Sequence, residues 1–252
     1  MKKRIVIGNW KMNPTTLDEA RRIFRSIKSV SEKLKSTSVM LCPPFVYLPA
    51  LLNTRGESSI SIGAQDVDFQ EQGSFTGRIS PLMLKDLGVS RVIIGHSERR
   101  AQGDTDEIVS NKMKSSIEAG LLPVLCIGEK ERDTSGVYLD FLKNQIKSSL
   151  KGVHKKDIVK VTVAYEPLWA IGAKEPMNPD MIYEMSLFIK KVLSDIYGHH
   201  EAISTTVLYG GAVNFRNAVD IIVKGKVDGL LVGRESVNTE GFNQLLKTID
   251  NI

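Results

Sequence analysis

The chain has 252 residues, 34 Lys and Arg against 29 Asp and Glu, a formal net charge of +5, and is 42% hydrophobic and 25% charged. This is the balance of a soluble globular protein long enough to bury a large core. The small positive excess is too thin to imply nucleic acid and suits a small anionic substrate. No apolar run approaches a membrane span, and the start MKKRIVIGNW lacks the apolar core of a signal peptide. Two cysteines, Cys42 and Cys126, fit a reducing, cytoplasmic setting rather than a disulfide framework.

Taken in chain order, short β-branched apolar runs ending in Gly, Pro or polar residues alternate with amphipathic stretches. A strand is predicted over 4–7, then a helix whose buried face is Leu17, Ala20, Ile23, Phe24, Ile27, Val30 and Leu34. Strands follow over 39–41, 60–63, 92–94 and 124–127, and a helix face of Phe141, Leu142, Ile146 and Leu150. After a strand over 161–165 comes a helix marked by Met181, Met185, Phe188, Ile189 and Val192. Strands over 206–209 and 229–232 precede a closing helix carrying Phe242, Leu245, Leu246 and Ile249. Eight such units without an internal linker predict one α/β domain over 1–252, a single (β/α)8 barrel. A doubly wound open sheet has the same periodicity and is the alternative.

A closed sheet puts its chemistry where strands run into the following loops. The first predicted strand ends in Gly8-Asn9-Trp10-Lys11, the fourth in Gly95-His96-Ser97-Glu98 and the fifth in Cys126-Ile127-Gly128-Glu129. The sixth ends in Tyr165-Glu166-Pro167, the seventh in Tyr209-Gly210-Gly211, the eighth in Gly233-Arg234. A Lys, a His and a Glu thus meet at one barrel mouth. A carboxylate takes protons from carbon, an imidazole polarises a carbonyl, and an ammonium holds an anion. Glycine-rich turns expose backbone N–H groups to a phosphate.

Singly, each of these residues has a plainer reading. Lys11 is a solvated lysine at a strand end, His96 the cap of a turn, Glu166 a loop carboxylate, and Gly210-Gly211 a tight turn. Cys42 and Cys126 read as small core residues, and His199-His200 after Gly198 as a surface turn. No HExxH, calcium-loop, CxxC or P-loop pattern is present, so neither a metal nor a nucleotide site is indicated. Only the joint occurrence favours a catalytic site.

GNWKMN at 8–13, IGHSERR at 94–100, CIGE at 126–129, AYEPLWAIG at 164–172 and YGG at 209–211 resemble the triosephosphate isomerase family in order and spacing. The resemblance covers essentially the whole chain. It implies the TIM-barrel fold, a small phosphorylated sugar as substrate, a cytoplasmic homodimer and no cofactor. It implies Glu166 as the base, His96 as a neutral imidazole that polarises the carbonyl, and Lys11 with Asn9 as groups that bind and orient substrate. Glu98 and Cys126 are implied as supporting residues, and Gly172, Ala212, Gly233 and Arg234 as substrate-binding positions. The segment from Pro167 to Met177 resembles the family's mobile lid.

The departures are concentrated around the substrate. Ala212 stands where the family carries a serine after YGG; the lid reads Gly172-Ala173-Lys174-Glu175-Pro176, and Arg234 replaces a second glycine after Gly233. Gln72-Gly73-Ser74-Phe75-Thr76-Gly77 resembles the dimer-forming loop, but Arg78 follows it where an acidic partner for Arg99 is usual. That ion pair is therefore expected to be absent or rewired. Ala101-Gln102-Gly103-Asp104 is one residue short and lacks a bulky apolar residue. Three functions are compatible with this pattern: triosephosphate isomerase, a paralogous isomerase of a four-carbon ketose phosphate such as erythrulose phosphate, and a non-catalytic barrel scaffold.

Overall fold

The computed structural model describes residues 3–170 and 177–252. Eight parallel strands close into a barrel in chain order. They are β1 (Arg4–Asn9), β2 (Thr37–Cys42), β3 (Ser61–Ala64), β4 (Arg91–Ile94), β5 (Leu122–Ile127), β6 (Thr162–Tyr165), β7 (Thr206–Tyr209) and β8 (Gly229–Val232). Closure is made by β1 on β8, with Ile5 opposite Gly229 and Gly8 opposite Val232. Gly229 is required at that seam, because a Cβ there would lie 1.9 Å from the carbonyl oxygen of Ile5. The open-sheet alternative is thereby excluded.

Alternation along the strands divides the core in two. Ile7, Met40, Ile93, Val124, Cys126, Ala164, Leu208 and Leu231 fill the barrel interior. Val6, Leu41, Val92, Ile94, Leu125, Val163, Val207 and Leu230 belong to the larger core outside the barrel. The helices surround it: α1 (Leu17–Ser31), α2 (Leu48–Arg55), α3 (Pro81–Asp86), α4 (Ser97–Ala101), α5 (Asp106–Glu118), α6 (Val137–Ser149), α7 (Pro179–Tyr197), α8 (His199–Ser204), α9 (Ala218–Val223) and α10 (Thr239–Asp250). Side-chain oxygens of Thr16, Ser80, Thr105, Asn178 and Asn238 accept first-turn N–H groups of α1, α3, α5, α7 and α10, satisfying donors that a helix start leaves open. Among the described residues, no helix is long and apolar enough to cross a membrane.

Two local expectations need correcting. Phe141 is half exposed rather than part of the buried face of α6. That face is Leu142, Gln145, Ile146 and Ser149, at spacings of three and four, which leaves Phe141 on its flank. His199 and His200 are exposed as expected but open α8 instead of forming a turn; Gly198, with φ +101°, supplies the chain reversal before them.

The inward face sets up the site. Two residues beyond Ile7, Ile93, Cys126, Ala164, Leu208 and Leu231 come Asn9, Gly95, Gly128, Glu166, Gly210 and Gly233. The layer above the apolar plug therefore carries one carboxylate, one amide and four glycines. Bulk that would have filled the barrel mouth is missing there, and a cavity results.

Candidate active site

The cavity has a volume of about 440 Å³ and is lined by Asn9, Lys11, His96, Glu166, Gly233 and Arg234, among others. Its lining comes from the ends of five strands, β1, β4, β6, β7 and β8.

Lys11 follows β1 with φ +52°, a left-handed conformation that costs a non-glycine residue free energy. Its N–H donates to Asn9 Oδ1 at 3.1 Å, and its carbonyl accepts from Gln65 Nε2 at 2.8 Å. Gln65 Nε2 also donates to the Cys42 carbonyl at 2.8 Å, so the turn after β1 is tied to the ends of β2 and β3. Lys11 Nζ is aimed along the rim and lies 2.7 Å from Glu98 Oε1. Glu98 is more than half exposed and reaches Lys11 from the side, so solvent shares this ion pair.

His96 follows Gly95, whose φ of +72° turns the chain out of β4. The plain reading of His96 as a cap is also true. Its Nδ1 accepts the N–H of Glu98 at 3.2 Å at the start of α4. An Nδ1 that accepts carries no proton, so the neutral ring presents Nε2–H to the cavity. That Nε2 lies 3.4 Å from Glu166 Oε1, and both side chains are buried.

Glu166 is held on three sides. Its N–H donates to the Ile127 carbonyl at 2.8 Å, while Gly210 N–H donates to the Tyr165 carbonyl at 2.8 Å. A Cβ on Gly210 would be 2.7 Å from Glu166 Cγ. Beneath it lies Cys126, whose thiol is pushed well above its ordinary value by burial and then by the charge of Glu166. The thiol therefore stays protonated and acts as a weak donor toward the carboxylate. Glu166 also borders a second cavity of about 340 Å³, but Lys11, His96 and Asn9 converge only on the first.

Beyond Glu166 the chain is anchored by Glu129. Its Oε1 accepts from Tyr165 Oη at 2.8 Å and Trp169 Nε1 at 2.8 Å, and pairs with Arg132 Nε at 3.2 Å. Its carbonyl accepts the Leu168 N–H at 2.9 Å. Burial, followed by the charge of Glu129, raises the Tyr165 phenol far above its usual value, so it remains a donor. Gly172 and the rest of 171–176 lie outside the described residues.

Ala212 and Gly233 line the opposite wall. Arg234 opens a short 3-10 turn over Arg234–Val237 directly after Gly233, and its side chain is exposed at the mouth. Gln65 gave no signal in the sequence, and Glu129, though inside a noted strand-end motif, was given no role there. Gln65 is a lone amide after a strand, and Glu129, although within CIGE, finds its partners up to 40 positions away.

The family model for triosephosphate isomerase matches residues 4–249. A triosephosphate isomerase of Dehalococcoides mccartyi is 42% identical over 244 residues, 96% of this chain and 94% of that protein. The chain belongs to the triosephosphate isomerase family. Triosephosphate isomerases of Carboxydothermus hydrogenoformans and Clostridium botulinum are 38% and 39% identical, each across 98% of this chain and 99% of their own. Membership accounts for the barrel and for the order of the motifs along it. A cluster of acids and bases lies behind the loop 72–77. Arg78 Nη1 lies 3.3 Å from Asp68 Oδ2, and Arg99 Nε lies 2.8 Å from Asp66 Oδ2. Lys112, 1% exposed, bridges Asp66 at 2.8 Å and Asp104 at 2.7 Å.

Proposed function

We propose that this chain interconverts dihydroxyacetone phosphate and D-glyceraldehyde 3-phosphate, with Glu166, His96 and Lys11 as its catalytic residues. The observation that carries this reading is the facing pair of a buried carboxylate and a neutral imidazole, 3.4 Å apart, at the floor of the cavity. Glu166 takes a proton from carbon 1 of the ketose and returns it to carbon 2. Between these steps the two oxygens share the charge of an enediolate. The Nε2–H of His96 donates to the carbonyl oxygen as that charge develops and shuttles the proton between the two oxygens. A preorganised donor in a site shielded from water is worth ~3 kcal/mol of barrier.

Asn9 fixes the Lys11 turn, and Lys11 supplies positive charge near the substrate oxygens. Gly233, Arg234, Ala212 and Gly172 are the proposed phosphate-side positions, with Glu98 and Cys126 supporting Lys11 and Glu166. The reaction is an internal proton transfer and requires no cofactor. The relatives carry the triose name, and the four-carbon reading gains nothing from them.

The chain works as a single domain over 1–252 and as a homodimer through the loop 72–77. Phe75, Val46 and Met12, on the loops after three neighbouring strands, are 45%, 78% and 90% exposed, an apolar surface that calls for cover. The cytoplasm suits its two reduced, buried cysteines.

The test is steady-state kinetics of Glu166→Gln, purified from a host lacking its own isomerase. Loss of the basic oxygen is expected to cost at least ~10²–10⁴-fold in kcat. A fully active Glu166→Gln protein overturns the assignment.

A further inference from the structure

A cavity of about 740 Å³ lies at the opposite end of the barrel, around the starts of β1 and β2 and the turn that leads into β8. It shares no lining residue with the catalytic cavity. Four cations edge it, Lys3, Arg4, Lys35 and Lys226, against one acidic side chain, Asp228. The barrel's register sets these cations on both sides of β1. Arg4 pairs with Thr37 on β2 and its N–H donates to the Ser36 carbonyl at 2.9 Å, which places Lys35 beside the start of β1. On the other side, Ile5 N–H donates to the Asp228 carbonyl at 3.2 Å, two residues past Lys226.

The acids of this face are engaged by the backbone. Asp228 Oδ2 accepts the Val207 N–H at 2.9 Å, and Asp250 accepts the N–H groups of Lys35 and Ser36. Among the described residues, the ammonium groups of Lys3 and Lys35 form no ion pair. Lys226 Nζ stands 4.5 Å from the centre of the Tyr183 ring, a contact that steadies an ammonium without neutralising it. Its backbone has φ +46°, a left-handed conformation that only one other non-glycine among the described residues adopts, Lys11 in the active site. The floor between these charges is apolar, with Val223 52% and Ile252 37% exposed.

We propose that this groove is a second ligand site and takes a nucleoside polyphosphate, with the base on Val223 and Ile252 and the phosphates on Lys3, Lys35 and Lys226. An apolar floor rimmed by uncompensated cations complements a ligand that joins a flat apolar body to several negative charges. One phosphate would engage the cations on one side of β1, whereas a chain of two or three reaches both sides. Here β1 and β8 close the barrel, with Ile5 opposite Gly229, so a ligand bridging them stabilises the folded chain by mass action. The site is independent of the isomerase reading, since it uses none of the catalytic residues.

The probe is ATP, added to the full chain, with inorganic pyrophosphate and adenosine as controls; calorimetric Kd and melting temperature are the readouts. ATP is expected to raise the melting temperature and to bind about tenfold more tightly than pyrophosphate, through burial of its base, with adenosine weaker still. Lys35→Ala combined with Lys226→Gly, the glycine keeping the left-handed turn, should raise the ATP Kd at least about tenfold. The same variant should keep its kcat and KM for the triose phosphates, which also shows that it folds. Val223→Glu leaves all four cations in place and should abolish the preference for ATP over pyrophosphate. Pyrophosphate that binds as tightly as ATP overturns the nucleotide assignment. No ATP binding, an unchanged ATP Kd in the double variant, or ATP that competes with the triose phosphate overturns the site itself. Failure of the isomerase reading is distinct: the unmodified chain would then bind ATP in this pattern and show no turnover.

Discussion

Gly128 and Glu166 are in such close approach that a Cβ on the glycine would stand 1.8 Å from the carbonyl oxygen of the glutamate. The end of β5 is thereby fitted against the residue that follows β6. Gly128 is itself fixed, its N–H donating to Gln145 Oε1 at 2.9 Å on α6. Position, rather than chemistry alone, is what this contact gives the proposed base.

Gly128→Ala is therefore expected to push the Glu166 backbone aside by roughly an ångström. Displacement of that size costs ~100-fold in rate. The barrel should still form, because its apolar plug lies below this layer. Measured kcat/KM should fall far more than the melting temperature, and a Gly128→Ala enzyme of normal rate would show that the base is not held here.

How much of this was legible in the chain depends on the range over which each residue acts. Strands such as Val124–Ile127 are apolar on both faces because barrel and helices bury both, so they stand out as runs bounded by glycine. Lys11, His96 and Glu166 were legible as strand-end residues within motifs. Gln65 was not, since its two carbonyl acceptors belong to Lys11 and Cys42, distant in sequence. Lys112 was equally hidden. It sits in the polar run Ser110-Asn111-Lys112-Met113-Lys114, which reads as a solvated helix face, yet it is fully buried between two carboxylates. Phe141 misled for the opposite reason, an apolar residue adjacent to a buried face but not on it.

Asp250 gives the fold a pH-dependent contribution. Its carboxylate accepts the N–H groups of Lys35 at 2.9 Å and Ser36 at 2.7 Å, tying the end of α10 to the loop between α1 and β2. Burial alone would raise its carboxyl, but these donors outweigh it and the net shift is downward. A depressed pKa contributes stability above the unfolded value of ~4 and loses it as pH falls through the folded one. Asp250→Asn should cost about 1 kcal/mol near neutrality, with solvent sharing the group, and close to nothing in acid. Thermal unfolding across that range checks this, and a constant difference at all pH values would exclude the carboxylate as the cause.

The rewired charges make a prediction about assembly. Arg78 follows the loop 72–77, Arg99 lines one cavity with Gly77 and Arg78, and each already has a carboxylate of its own subunit, Asp68 and Asp66 respectively. Lys112 completes the cluster by joining Asp66 to Asp104, so two acids are shared between two bases and little charge is left to offer a neighbour. A dimer formed over this surface must then draw its free energy from apolar burial of Phe75, Val46 and Met12. Interfaces held by ion pairs weaken as salt shortens the Debye length to ~3 Å at 1 M, whereas apolar burial does not. The dissociation constant from sedimentation should accordingly change less than ~3-fold between low salt and 1 M, while Phe75→Ser raises it by at least tenfold through lost aromatic burial. A dimer that separates on adding salt would place the Arg78 or Arg99 charge across the interface, and a monomer that isomerises at full rate would remove the interface from the function altogether.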